Sequence, residues 1–189
     1  MPIEVKGLLD LRKNLNKFAP DLAKQMNKEI KEAAKPVVNQ ARGFLPASVP
    51  GLSNWSKSKN GSFPTYDGGS AKRGIKFLTS PTKRNRRGFV SLYRFQQNDA
   101  GGQIFELAGR VHSQGRPWKG PTGNKSESRS NNPKAGLHFI RSINSVSAFP
   151  SSSFRVGRAL YKAYDKNEGK AKVAILKAID SATKKLETR

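Results

Sequence analysis

The sequence predicts an α+β fold in a single domain: a small antiparallel sheet flanked by a long N-terminal helix and a C-terminal helix, with long polar loops. Three observations carry this expectation. Near both ends of the 189-residue chain, apolar residues recur every three or four positions, the period of a helix with one buried face. In the middle, two short segments alternate or are rich in aromatic and β-branched residues, as strands are. Two further stretches are dominated by glycine, proline, serine and charge, which marks loops.

Residues 1–45 form the N-terminal helical segment. Leu8, Leu11, Leu15 and Phe18 make a first short stripe, and Leu22, Met26, Ile30, Ala33, Val37 and Ala41 a longer one. Pro20 followed by Asp21 suits the start of the longer helix, with proline in the first turn and an acid near the positive end of the dipole. Pro36 falls inside it and predicts a kink; Gly43 followed by Pro46 predicts its end. Residues 46–72 read as loop. Residues 73–108 read as the strand-rich core, with Gly74–Thr79 and Gly88–Gln96 as the arms of a hairpin. The intervening SPTKRNRRG forms its basic tip, and Phe89, Ser91, Tyr93 and Phe95 share one face. Residues 109–136 read as a second long loop. The apolar stretch 137–149 fits strand or helix equally. Leu160, Tyr164, Ala171, Ile175, Ala178, Ile179, Ala182 and Leu186 mark the C-terminal helix, weakened near its middle by Gly169 by roughly 1 kcal/mol.

Charge narrows the function. Thirty-six Lys and Arg against thirteen Asp and Glu give a formal net charge of +23. The two ends are mixed in charge, while residues 33–164 carry twenty-two basic and four acidic side chains. Such a surface seeks anions: nucleic acid, an anionic membrane or an acidic protein. The absence of cysteine excludes disulfides, thiolate metal sites and cysteine nucleophiles. Two histidines, His112 and His138, do not make a multi-histidine metal site. No apolar run approaches the roughly 20 residues of a membrane-spanning helix, and the N-terminus lacks the apolar core of a signal peptide. No membrane partner is expected.

The expectation for catalysis is negative. Asp99 and Glu106 are the nearest thing to a carboxylate pair, without a histidine beside them. No phosphate-binding glycine fingerprint is present. No catalytic, cofactor-binding or metal-binding residues are assigned, and no cofactor. The chemistry that does accumulate is basic. Ten Lys and Arg stand between Ser53 and Gln96 against Asp67 alone, with Trp55, Phe63, Tyr66 and Phe77 interleaved. Cations for phosphates with rings for stacking suit single-strand binding, although no reading motif accompanies them. Lys72, Arg73, Lys83, Arg84, Arg86, Arg87 and Arg94 are the candidate docking residues, toward nucleic acid or toward acidic neighbours in an assembly.

The order of four segments resembles the tail-completion, or neck, family of long-tailed bacteriophages. The opening Glu4, Val5, Gly7, Leu8 and Leu11 match a "glu-val-x-gly-leu-x-x-leu" signature. Ala33, Ala34, Lys35, Pro36, Val37 and Val38 match an "ala-ala-lys-pro-val-val" segment of the long helix. AGGQIFELAGR (100–110) is similar to the central motif, and residues 154–186 to the C-terminal helix. The departures fall in 46–72 and 111–136. The resemblance implies a structural virion subunit, assembled in the host cytoplasm, without catalytic residues. It would form a six-fold-related ring at the head–tail junction or head-proximal tail end, completing the tail and joining it to the DNA-filled head. Its partners would be copies of itself, neighbouring tail terminator, tail-tube or head-closure proteins, and DNA in the lumen. The alternative is a non-specific nucleic-acid-binding protein acting through residues 53–96.

Overall fold

A computed structural model describes residues 7–54, 64–86, 89–109, 135–146 and 157–188. Among these are six helices, α1 (Leu8–Phe18), α2 (Pro20–Gly43), α3 (Gly68–Gly74), α4 (Ala100–Leu107), α5 (Ala135–Ser145) and α6 (Leu160–Glu187). Strands β1 (Ile75–Leu78) and β2 (Arg94–Gln97) pair as a two-stranded antiparallel sheet. The fold class is therefore α+β, mostly helical. The chain forms two compact units: Met1–Asn39, Phe77–Phe95 and Tyr164–Arg189 make the first, Gln40–Lys76 and Gln96–Ala163 the second.

The first unit is built by the two stripes read from the sequence. Leu15, Ala19, Leu22, Ala23, Met26 and Ile30 meet Ala178, Ile179 and Ala182 of α6 in one buried cluster, with Leu8, Leu11, Ile175 and Leu186 at its margin. Phe77 of β1 and Tyr93 pack against the same cluster. The rings continue it: Phe77 stacks on Tyr93 at 6.2 Å and meets Phe95 at 4.9 Å, and Phe95 meets Tyr164 edge-on at 5.8 Å. Such pairs add about 0.5–1.5 kcal/mol each beyond area burial. Phe18 departs from its expected place. It is 66% exposed, and its ring lies under the Lys17 ammonium at 4.9 Å, while Ala19 takes the buried position. Helix α1 ends at Phe18, so the 3.6-residue period no longer governs where the next side chain points.

Helix α2 starts at Pro20, runs continuously through Pro36 and ends at Gly43. The 137–149 stretch resolves as helix, α5, over its described part. The C-terminal helix keeps Gly169 in its interior at an exposed position.

The second unit contains the larger departures. The end of the segment read as loop is helix α3, started by Asp67, whose side chain accepts from the Ser70 N–H at 2.6 Å. That bond holds the Asp67 carboxyl below its ordinary value. The glycines made this stretch look like loop; Gly68 instead allows close approach, because a Cβ there would meet the Pro46 and Ala47 carbonyl oxygens at 2.6 and 2.5 Å. Likewise the strand-rich core is less strand than expected. Each strand has four residues, Phe89–Tyr93 lies outside β2, and Ala100–Leu107 is helix α4, capped by Asp99 on the Gly102 N–H at 2.7 Å. Tertiary contacts here outweigh the low helix propensity of paired glycines.

Arg42, in the last turn of α2, ties this unit to the end of α3: its Nε and Nη2 donate to the Lys72 and Ile75 carbonyls at 3.0 and 2.9 Å. Tyr66 is buried and donates its hydroxyl to the Pro46 carbonyl at 2.8 Å. Burial pushes the Tyr66 phenol well above its usual value, and the Asp99 and Asp67 carboxylates add to the shift. A phenol that holds its proton more tightly when folded contributes stability that is present below about pH 10 and lost as pH rises above it. Thermal melts at pH 9 and pH 11 should therefore show a smaller alkaline loss in Tyr66→Phe than in the parent. At neutral pH the same variant should cost about 1 kcal/mol, for the lost bond to Pro46. Equal alkaline losses in the two proteins would refute the assignment.

Candidate docking surface

Six of the seven predicted docking residues are described, and they fall into three groups. Lys72 and Arg73 stand exposed in the last turn of α3, in the second unit. Arg73 Nη2 donates to the Ser70 hydroxyl at 3.1 Å. Lys83, Arg84 and Arg86 belong to the first unit and lie together, all exposed, on the connection between β1 and β2. Arg94, the first residue of β2, is half-buried and donates from Nη1 to the Ser80 carbonyl at 2.9 Å, so it anchors this connection. Arg87 lies outside the described residues, as do Trp55, Lys57, Lys59, Phe63 and His112.

The connection is a pinned arm. The Thr82 N–H donates to the Ser91 carbonyl at 2.9 Å, and the Ser91 N–H returns to the Thr82 hydroxyl at 2.9 Å. Further out, the Asn85 N–H donates to the Phe89 carbonyl at 3.0 Å and the Phe89 N–H to Asn85 Oδ1 at 2.9 Å. Threonine and asparagine side chains thus replace part of the strand ladder. They leave the intervening cations projecting from a held backbone. Ion pairs among the described residues include Lys13–Asp10, Lys35–Glu32 and Lys184–Asp180. No described carboxylate lies within ion-pair distance of Lys83, Arg84 or Arg86.

The described rings interleaved with this charge in the sequence, Tyr66 and Phe77, are engaged elsewhere. Tyr66 is 3% exposed, with its ring 5.6 Å from Phe105, and Phe77 lies within the ring cluster on the first core. Phe89, at the pinned end of the arm, is 49% exposed.

The two carboxylates weighed for acid–base chemistry are both helix caps. Asp99 caps α4, and Glu106, almost wholly buried on that helix, caps α6. Glu106 Oε2 accepts from the Ala159 and Leu160 N–H groups at 2.7 and 3.1 Å, and Oε1 from the Tyr161 N–H at 3.0 Å. This places an anion at the positive end of a 28-residue helix. Burial pushes the Glu106 carboxyl up from its ordinary value, against these three N–H groups and the Arg158 guanidinium. Arg158, 1% exposed, donates from Nη1 to the Phe105 carbonyl and from Nη2 to the Ala108 carbonyl, both at 2.7 Å. Its Nε and Nη2 also donate to Asn144 Oδ1 of α5 at 3.1 and 2.8 Å. Gly157 sits where a Cβ would collide with the Glu106 carboxylate. Glu106, Arg158 and Gly157 all belong to segments singled out by the motif order, yet sequence reasoning gave Arg158 no role. The available signal was an arginine inside the apolar run around Gly157–Tyr161, a position where charge is retained only when buried hydrogen bonds satisfy it.

Among the described residues no group of three or more potential metal ligands occurs, and no helix is long and apolar enough to cross a membrane. Comparison with protein-family models, with curated proteins and with solved structures finds no match.

Proposed function

We propose that this chain is a structural virion protein of a tailed phage. It forms a six-fold-related ring at the head–tail junction or the head-proximal tail end, completes the tail and joins it to the DNA-filled head. The observation that carries this reading is the order of the four segments Glu4–Leu11, Ala33–Val38, 100–110 and 154–186 along one chain. The geometry gives support of a second kind. One charged residue from each of two of those segments, Glu106 and Arg158, is committed to caps and carbonyls inside the second unit, work that suits a scaffold. Copies of itself and tail terminator, tail-tube or head-closure proteins are the partners on this reading, with no membrane.

Purified particles test the proposal. Mass spectrometry should detect the chain at ring stoichiometry, and cryo-electron microscopy should place it in the neck or upper tail. Detection in infected-cell lysate but not in purified particles would overturn the assignment. It would favour the second reading, a nucleic-acid-binding protein outside the virion, which rests on the exposed Lys83, Arg84 and Arg86.

A further inference from the structure

We infer that the arm between β1 and β2 docks on the phosphate backbone of double-stranded DNA without reading its sequence. The inference goes beyond the virion placement, and its test on the isolated chain reads out independently of where the protein sits.

Lys83, Arg84 and Arg86 are exposed within four consecutive positions, and no described carboxylate pairs with them. The Thr82–Ser91 and Asn85–Phe89 bonds hold the backbone that carries them. Less backbone freedom is then lost when these cations engage a partner. At a reach of at most about 3.6 Å per residue, the three span roughly 11 Å. Duplex DNA carries one negative charge per about 1.7 Å of axis. Several phosphates therefore lie within that span in any register, and no base contact is needed to satisfy the cations.

Two observations choose the duplex over other anions. Single-strand binding needs successive rings on which bases stack. Apart from Phe89, the described rings nearest this charge in sequence are committed: Phe77, Tyr93 and Phe95 to the ring cluster, with Tyr66, further off, in the second core. Phe89 alone remains open on the arm. A stable protein–protein contact needs about 800 Å² from each partner and an apolar centre depleted in lysine. Among its described residues the arm offers three cations and one exposed ring, while phosphate contact requires no apolar centre.

The test uses the full chain and a mixed-sequence 30-base-pair duplex, with binding read by fluorescence anisotropy between 50 and 200 mM salt. Three phosphate contacts contribute about −2.7 to the slope of log K against log salt. The variant Lys83→Gln/Arg84→Gln/Arg86→Gln should reduce the slope by that amount, making its salt-induced loss of affinity about 40-fold smaller over this range. A control with the same charge change on α6, Lys170→Gln/Lys172→Gln/Lys177→Gln, should keep the parental slope. Unchanged slope in the arm variant, or an equal fall in the control, would overturn the inference. Tighter binding to a 30-nucleotide single strand that weakens with Phe89→Ala would overturn it in favour of stacking. Binding of poly-glutamate as tight as of the duplex, and equally dependent on the arm, would overturn it in favour of an acidic protein. Unaltered circular-dichroism melts confirm that the variants are folded.

Discussion

Arg158→Ala should lower the unfolding free energy by about 3–5 kcal/mol, the cost of removing one partner from a buried charge network. The side chain is 1% exposed, and three of its nitrogens bond the Phe105 and Ala108 carbonyls and Asn144 Oδ1. Truncation leaves those acceptors without their donor and the Glu106 carboxylate buried without its nearest cation. Arg158→Lys should recover less than half of the loss, because one ammonium cannot reproduce a planar fork that reaches acceptors on two sides. Glu106→Ala should cost a comparable amount, since the Ala159, Leu160 and Tyr161 N–H groups would each lose an acceptor at a buried helix start. Urea denaturation at neutral pH with an unchanged m-value is the appropriate measurement. A loss below about 1 kcal/mol for Arg158→Ala, within the range of ordinary single substitutions, would show that the network does not hold the second unit together.

Ile30→Ala should cost about 2–5 kcal/mol, through lost transfer free energy and the cavity left behind. Ile30 is fully buried in the cluster shared by α1, α2 and α6. Phe18→Ala, on the neighbouring stripe of the same sequence, should stay within about 0.5 kcal/mol, because Phe18 is exposed. The pair separates burial from periodicity as the source of stability. Equal losses would mean that the exposed ring contributes to packing in a way the structure does not contain.

The parts legible in the sequence were those that repeat. Met26, Ile30 and Val37 on α2, and Ala178, Ile179 and Ala182 on α6, were recognisable because one side of a helix must be apolar over several turns to be buried. Pro20 and Gly43 marked the ends of α2 because their backbone preferences act locally. The parts missed depend on residues far apart in the chain. Helices α3 and α4 look like loop or strand, since Gly68, Gly69, Gly101 and Gly102 disfavour helix locally. Asp67 and Asp99 start both helices, and nearby backbone requires the small residue at Gly68. The basic arm was found as a charge run, but its pinning by Thr82 and Asn85 was not.

The sequence alone determined the fold class, the two amphipathic helices and the location of the excess positive charge. Each follows from composition or from a period set by backbone geometry. Only the tertiary structure decided what individual polar residues do. It made Glu106 a helix cap, turned Arg158 into a buried clasp on carbonyls some fifty residues away, and left Lys83, Arg84 and Arg86 exposed on a held backbone. The physical reason is that hydrogen bonds and desolvation act at contact distance. Partners such as Glu106 and Ala159 acquire their roles only when folding brings them together.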